Sequence, residues 1–334
     1  MKPLITMALV AYNQERFVEE AIKGALAQSY SPLEIIISDD CSQDSTYQII
    51  QNAVQGYSGP HQLHVKRNEQ NLGVGRHVNR IIEMSSGQLI VFAAGDDISL
   101  PARVEHTYNC WSANGKRALA IFTQARVIDD SGVAHGLAID GVTPERLSVE
   151  GMLKYWPIAY GYGLAISKRL FNVFGPLPEG VLQEDTIIPI RAALLGPLLY
   201  IEEPLVFYRR HDENLWKAPG LDAMNVPQFK AFLRRHAKSR IDICKCWLED
   251  LEIAHREYLE RDADFRKYKR LARKKLLEME IEEKLLASRF AKRLCILFGA
   301  FLLGFNFKKL REWNLMYNRP ERYLERQKKY FRSR

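Results

Sequence analysis

Three adjacent pairs of carboxylates stand out in this chain of 334 residues. Asp96 and Asp97 end the apolar run in VFAAGDDISLP (91–101), Asp39 and Asp40 end LEIIISDD (33–40), and Glu184 with Asp185 lies in LQEDTIIPIRAALLG (182–196). Like charges side by side repel, so such a pair calls for a counter-charge. A divalent cation held by one or two carboxylates and shared with substrate phosphates would supply it, and Asp96–Asp97 suits Mn2+ or Mg2+ in that role. Phosphate would otherwise need a glycine-rich loop. There is no GxxxxGK, and the GVG at 73–75 does not follow a strand, so neither a P-loop nor a dinucleotide fingerprint is present. Each pair also has a plain structural reading. Asp96–Asp97 could cap a helix opening near Pro101, Asp39–Asp40 with Ser42 and Asp44 could be a turn and a helix cap, and Glu184–Asp185 could be acids in a helix's first turn, where the macrodipole favours them.

The elements that must position these groups alternate in type. LITMALVAY (4–12), LEIIISDD (33–40), LHVKRN (63–68) and LIVFAAGDD (89–97) read as strands. Between them, NQERFVEEAIKGALAQ, SQDSTYQIIQNAV and GRHVNRIIEM carry apolar residues at helical spacing, with Asn13 placed to cap the first. Near-continuous apolar strands that alternate with helices predict a parallel sheet covered on both faces, with ligands bound beyond the strands' carboxyl ends. Tyr12 and the first two acidic pairs fall at those ends, on one rim. From Ala118 the pattern loosens into a mixed extension: ALAIFTQARVID, a helical stretch near 145–156, and GYGLAISKRLF. The segment 182–196 predicts a helix with Glu184 and Asp185 in its first turn, and LLYIEEPLVFYRRH predicts a final strand pair.

The series AYNQERFVEEAIKGALAQSY, LEIIISDDCSQDST, NLGVGRHVNRIIEMSSGQLIVFAAGDDISLP and QEDTIIPIRAALLG, in that order, resembles the family 2 glycosyltransferases of GT-A fold over roughly residues 1–215. The fold so implied is α/β, a mostly parallel central sheet flanked by helices. The resemblance implies a nucleotide-diphosphate sugar donor, UDP-type favoured, bound by Ala11, Tyr12, Asn13, Asp39, Asp40, Arg76 and Asp96. Of these, Tyr12 would pack on the base and Asp40 would hydrogen-bond its edge. Asp97 would be the metal ligand through the diphosphate, with Asp96 nearer the ribose or sugar. Asp185 would be the catalytic base, with Glu184 beside it. An acceptor hydroxyl must lose its proton to attack the anomeric carbon, and one base without a carboxylate nucleophile implies direct displacement with inversion. In FYRRH (207–211), Arg209 and Arg210 would face phosphate or lie solvated at a strand end, and His211 could ligate the metal or hydrogen-bond the diphosphate. The QxxRW of processive synthases is absent, so one sugar is expected per transfer, in bacterial surface polysaccharide or glycolipid synthesis. The family's first strand commonly ends PTYN or PAYN, whereas this one ends LVAYN.

Two other activities are weighed against this one. A nucleotidyltransferase making nucleotide sugars would show a glycine- and arginine-rich loop where AYNQERF stands, and a nucleic-acid-binding protein would show an RNA-binding signature among its aromatics. Neither feature is present, and no nucleic acid is expected.

Charge divides the chain. The net charge of +8 comprises −6 over residues 1–215 and +14 over 216–334. The hydrophobic fraction of 47% suffices for two cores, a catalytic region 1–215 and a basic helical region 216–334. Cys41, Cys110, Cys244, Cys246 and Cys295 show neither disulfide nor zinc spacing, which suits a reducing, cytoplasmic setting. No signal peptide is expected, since strand character begins almost at Met1. The longest apolar run, LCILFGAFLLGFNF (294–307), would make a helix of about 21 Å, too short for a bilayer core of about 30 Å. It stands between Lys292-Arg293 and Lys308-Lys309, with Trp313, Tyr317, Tyr323, Tyr330 and Phe331 following. Apolar, aromatic and basic residues together suit an anionic membrane surface, which would set the acceptor as a saccharide or lipid-linked saccharide at the inner face of the cytoplasmic membrane. A dimer interface or a packed hairpin would use the same pattern.

Overall fold

The computed structural model describes residues 1–211, 214, 225–258 and 262–332. Trp216, the expected 215/216 boundary and the side chains of Tyr330 and Phe331 lie outside the described residues.

The first half alternates as its sequence predicts. Strand β1 (Ile5–Ala11) leads to helix α1 (Val18–Leu26), β2 (Leu33–Asp39) to α2 (Thr46–Val54), β3 (Gln62–Arg67) to α3 (Val74–Met84), and β4 (Leu89–Ala94) follows. Burial explains the composition of each strand. All of β2 and nearly all of β1 is buried on both faces, whereas β3 alternates towards exposure as an edge strand should. Beyond β4 come β5 (Ile98–Ser99), α4 (Arg103–Ala113), β6 (Ala120–Ile128), β7 (Ala134–Leu137), α5 (Pro144–Leu147), α6 (Val149–Tyr155), β8 (Leu164–Ser167), α7 (Arg169–Phe174), α8 (Ile188–Leu195) and β9 (Leu198–Arg209). Five helices complete the described chain: α9 (Val226–Glu257), α10 (Asp262–Ala287), α11 (Phe290–Leu302), α12 (Phe307–Asn318) and α13 (Pro320–Arg332).

The strands form one sheet in the order β3-β2-β1-β4-β8-β6-β9-β5, with β7 paired to β6. Its first four strands are parallel, in register from Ile5↔Leu33 to Ala11↔Asp39 and from Thr6↔Ile90 to Val10↔Ala94. Ala11, Asp39 and Ala94 therefore end on one edge. The other half is mixed: β8 runs antiparallel to β4 and β6, β9 parallel to β6, and β5 antiparallel to β9.

Three local expectations are corrected. Asn13 does not cap α1, which opens after Phe17; Asn13 sits at φ 51° and its amide oxygen instead accepts the Gln43 N–H. Glu184 and Asp185 are not in the first turn of a helix. They form a separate 3-10 turn with Thr186, and α8 starts later, where Pro189 is tolerated because the first helical N–H groups lack partners. The expected final strand pair is one strand, β9, which stays on β6 by bulging at Glu202–Glu203: Thr123 pairs with Ile201 and Gln124 with Pro204.

The chain divides into two compact units, Met1–Arg209 with Cys246–Leu271, and Arg210–Lys245 with Ala272–Arg334. In the first, the late segment is bound to the sheet domain by the buried pair Arg191–Asp250 at 2.9 Å, whose guanidinium also reaches the Gly175 carbonyl. In the second, Ile281, Leu285, Ala300, Phe305, Trp313 and Tyr317 form a small core. The indole of Trp313 donates to Glu282 at 2.8 Å, and Lys309 bridges Glu278 and Glu282.

Candidate active site

The loops after β1 and β2 are laced together at the rim. The N–H groups of Asn13, Gln14 and Glu15 donate to Ser42 Oγ, Thr46 Oγ1 and Asp44 Oδ2 at 2.9, 2.7 and 3.1 Å, and the Ser45 N–H returns to Glu15. Asp39 is fully buried, accepting from the Ser42 N–H and hydroxyl and from Arg67 Nε at 3.2 Å. Asp40, also buried, accepts from Asn68 Nδ2 and the N–H groups of Leu72 and Gly73, so its carboxylate gathers the loop after β3. Neither acid caps a helix; both fasten loops around Tyr12, which stays 41% exposed and so leaves an aromatic face at the rim.

At the end of β4, Gly95 permits a close approach. A Cβ there would stand 2.4 Å from Gln14 Oε1 and 3.2 Å from the Val10 carbonyl. The next two residues then part company. Asp96 is half-buried, while Asp97 is buried and its Oδ1 accepts the Arg209 N–H at 2.8 Å. Burial, and then the neighbouring Asp96 charge, pushes the Asp97 carboxyl well above the usual range against the pull of the Arg209 N–H and the Arg103 and Arg209 charges. Arg103 is itself buried beneath, donating to Ser99 and the Phe92 carbonyl, and burial lowers it to about 10. The helix-cap reading of this pair is overturned: α4 opens at Ala102 without a side-chain cap.

Arg209 is a strut. Its guanidinium, 2% exposed, donates to the carbonyls of Asp96, Asp129 and Asp130 and to Glu20 Oε2, and lies over the Phe17 ring. It is neither solvated at a strand end nor turned out to meet phosphate. One residue type at one strand end has thus been spent on tying β4, α1 and the loop after β6 together.

The third acidic pair is held from two sides. The Gly161 N–H donates to Asp185 Oδ2 at 3.1 Å, and Trp247 Nε1 donates to the Thr186 carbonyl at 3.0 Å. Burial raises Asp185 to about 6, opposed by the Gly161 N–H, and raises Glu184 to about 8 with help from the Asp185 charge. Both keep a partial opening to solvent. The turn Gly161–Gly163 also carries Tyr162, which is buried and stacks on Tyr208 at 4.8 Å. One three-residue turn therefore holds Asp185 through the Gly161 N–H and stacks on β9 through Tyr162.

Arg76, on α3, pairs with Glu179 at 3.1 Å on the surface. Arg210 and His211 belong to the second unit, where the His211 N–H donates to Asn214. Residues that sequence reasoning passed over include Gly161, Tyr162, Arg103 and Trp247. The GYG at 161–163 was a visible turn signal, but nothing in the sequence ties Trp247 to a carbonyl 61 positions away.

For a divalent cation the donor set fits in part. Among the described residues no group of three or more His, Cys, Asp or Glu side chains is arranged to hold an ion. A cation that takes most of its oxygens from substrate phosphates and water needs only one or two protein carboxylates, and Asp96 is the half-open one of its pair.

Residues 6–157 match the model of Glycosyl transferase family 2. An uncharacterized glycosyltransferase of Rickettsia felis is 25% identical over 64% of this chain and 35% of its own length. The putative teichuronic acid biosynthesis glycosyltransferase TuaG of Bacillus subtilis is 33% identical over 29% of this chain and 37% of its own. The chain thus spans little more than a third of these two relatives. Among solved structures, the mannosyltransferase PcManGT of Pyrobaculum calidifontis, in complex with GDP-Man and Mn2+, superposes with a TM-score of 0.53 at 16% identity, covering 98% of this chain and 86% of that one. With the parallel half-sheet and its mixed extension, this places the fold in the GT-A class. Through residues 6–157 of its N-terminal region, the chain is similar to glycosyl transferase family 2.

Proposed function

We propose that this protein transfers one sugar from a nucleotide-diphosphate sugar to an acceptor hydroxyl, with inversion, in the building of a bacterial surface polysaccharide or glycolipid. The observation that carries the reading is the Asp185 carboxylate, oriented by the Gly161 N–H at 3.1 Å and raised by burial to about 6. A base near that pKa is largely ionised at neutral pH yet still basic enough to draw a proton from a hydroxyl as it attacks.

Tyr12 offers its exposed face to the nucleotide base, and Asp40, Asp39 and the laced loops hold that face in place. Asn13 and the Ala11 strand end shape the same loop. Between the paired acids we assign the outward role to Asp96 and the inward one to Asp97, exchanging the roles the resemblance implied. Burial and the Arg209 N–H occupy Asp97, whereas Asp96 is half-open. A Mn2+ or Mg2+ held there with the donor's phosphates would neutralise charge on the departing diphosphate. Glu184, raised to about 8, stays protonated beside Asp185 at neutral pH and so keeps a second negative charge from the attacking oxygen. A UDP-type base remains the expectation from the family resemblance, and the acceptor is a saccharide or lipid-linked saccharide at the cytoplasmic membrane.

The test is thermal stability and nucleotide release with UDP- and GDP-sugars, with and without Mn2+, on wild type and Asp96→Asn. At a hundredfold excess over Kd a donor stabilises the fold by about 2.7 kcal/mol. A metal-dependent shift with one nucleotide class, lost in the variant, is the expected result. No shift with any nucleotide sugar on a folded protein would overturn the reading.

A further inference from the structure

In the second unit, helix α11 is apolar on two faces. Ile296, Leu297 and Ala300 pack into the small core with Trp313 and Tyr317. The other face is turned outward, with Phe290, Leu294, Phe298 and Leu302 following one another at every fourth position. Around the turn into α12, Phe301, Leu303 and Phe307 extend the same surface, and the rings of Phe301 and Phe307 meet at 5.2 Å. These seven side chains are 43% to 76% exposed. A helix apolar all round belongs in a core or in lipid, and scattered single exposures do not produce a continuous stripe ending in a wedge.

The charge around the stripe identifies its occupant. From Lys284 to Arg311 there is no Asp or Glu, while Lys284, Arg289, Lys292, Lys308 and Arg311 are all exposed. Arg293, on the same helix, lines a recess of about 60 Å³ with Lys230 and Arg234. A second copy of this chain seated face to face would bring these cations against their own equivalents, and a cytosolic partner would need a matching acidic rim around an apolar centre. An anionic bilayer offers both apolar depth and negative headgroups. At 13 residues α11 is about 20 Å long, short of a bilayer core, and no described helix is long and apolar enough to cross a membrane.

We propose that α11 and the turn into α12 form an in-plane anchor. The Phe290–Leu294–Phe298–Leu302 stripe and the Leu303–Phe307 wedge enter the acyl boundary of an anionic bilayer, and the flanking lysines and arginines stay among the headgroups. The proposal deepens the reading of a membrane-borne acceptor, but its test needs neither donor nor acceptor, so the two can fail separately.

The experiment is flotation of the purified full chain with vesicles of phosphatidylcholine alone and of phosphatidylcholine with phosphatidylglycerol, at physiological salt. Wild type is expected to float with the anionic vesicles, at least tenfold more than with the neutral ones. The triple variant Phe298→Ser, Leu302→Ser, Phe307→Ser should lose at least tenfold of that binding with an unchanged melting temperature, because all three side chains are already exposed. Lys292→Glu with Lys308→Glu should lose it as well, and tryptophan placed by Phe298→Trp should shift its emission to the blue on vesicle addition. Failure of wild type to float would overturn the proposal. So would a triple variant that floats as well as wild type, or a wild-type dimer in light scattering that the triple variant turns into a monomer, which would make the face a protein interface.

Discussion

The two units of this chain depart from ordinary burial in opposite directions. At the sheet rim charged groups are inside: Asp39, Asp40, Asp97, Arg103 and Arg209 are all nearly inaccessible. In the C-terminal unit apolar groups are outside, with Phe298, Leu302 and Phe307 among the most exposed of the large apolar side chains. Charged residues are rarely buried unless paired, and large contiguous apolar surfaces are rarely left to water. The rim resolves its violation internally, since nearly every buried charge there is matched by a backbone N–H, a carbonyl or an opposite charge. Among the described residues the C-terminal surface has no such partner, and the proposed anchor would find one in a bilayer. Buried charge with nearly complete hydrogen bonding suits a pre-organised site; exposed apolar surface with a cationic border suits the proposed place of attachment.

That contrast can be broken at several points. The largest effect is expected from Asp185→Asn, which removes the base without changing its shape. Turnover should fall by about 10²- to 10⁴-fold while donor binding, read by thermal shift, stays within about twofold. Retained turnover would place the base elsewhere. In the wild type, kcat/KM should fall on the acid side of about pH 6, because Asp185 must be ionised to accept the proton.

The acidic pair at 96–97 should split. Asp97→Ala leaves the Arg209 N–H buried without its acceptor and is expected to cost about 1–3 kcal/mol in urea unfolding. Asp96→Asn should cost little stability and abolish the metal-dependent donor shift. Equal effects on stability would mean that the two acids share one environment after all.

Trp247→Phe keeps the ring and deletes the bond to the Thr186 carbonyl. Turnover should drop by about tenfold with donor KM unchanged, since a small displacement of Asp185 is amplified in the reaction. An unchanged rate would show that the Gly161 N–H alone suffices to aim the base.

Glu184→Gln sharpens the comparison through pH. The folded pKa of about 8 lies above the ordinary 4.5, so the folded state binds the proton more tightly. Stability associated with this group is intact below about pH 4.5 and is lost as pH rises through about 8. The variant should therefore melt about 2–4 °C higher than wild type near pH 8.5, as a gain of about 1 kcal/mol would give, and equally at pH 4. The smallest effect is expected at the attachment surface, where Leu302→Ser should change stability by less than about 0.5 kcal/mol, because its side chain is 70% exposed.

Much of the architecture was legible because it is written in local periodicity. The first four strands were expected at 4–12, 33–40, 63–68 and 89–97 and occur at 5–11, 33–39, 62–67 and 89–94. Two-sided burial demands continuous apolar runs, and a run announces both a strand and its parallel pairing. The acids at the ends of β2 and β4 could be placed on one rim for the same reason. What failed was anything set by a distant neighbour. Asn13 looked like a helix cap, but the loop after β2 claims its side chain. Arg209 looked like a phosphate ligand, but three carbonyls and Glu20 surround it.

The sequence by itself determined the kinds of elements, their order and the edge on which carboxylates collect, because strand and helix periods and turn residues act over a few positions. Only the tertiary structure decided that Asp97 and not Asp96 faces inward, that a turn at 161–163 holds Asp185, and that residues 246–271 belong with the sheet domain. Hydrogen bonds and desolvation depend on what lies within a few ångströms in space. In this chain the groups that tune Asp185 come from Gly161 and, through Thr186, from Trp247, and no local rule of sequence can bring those positions together.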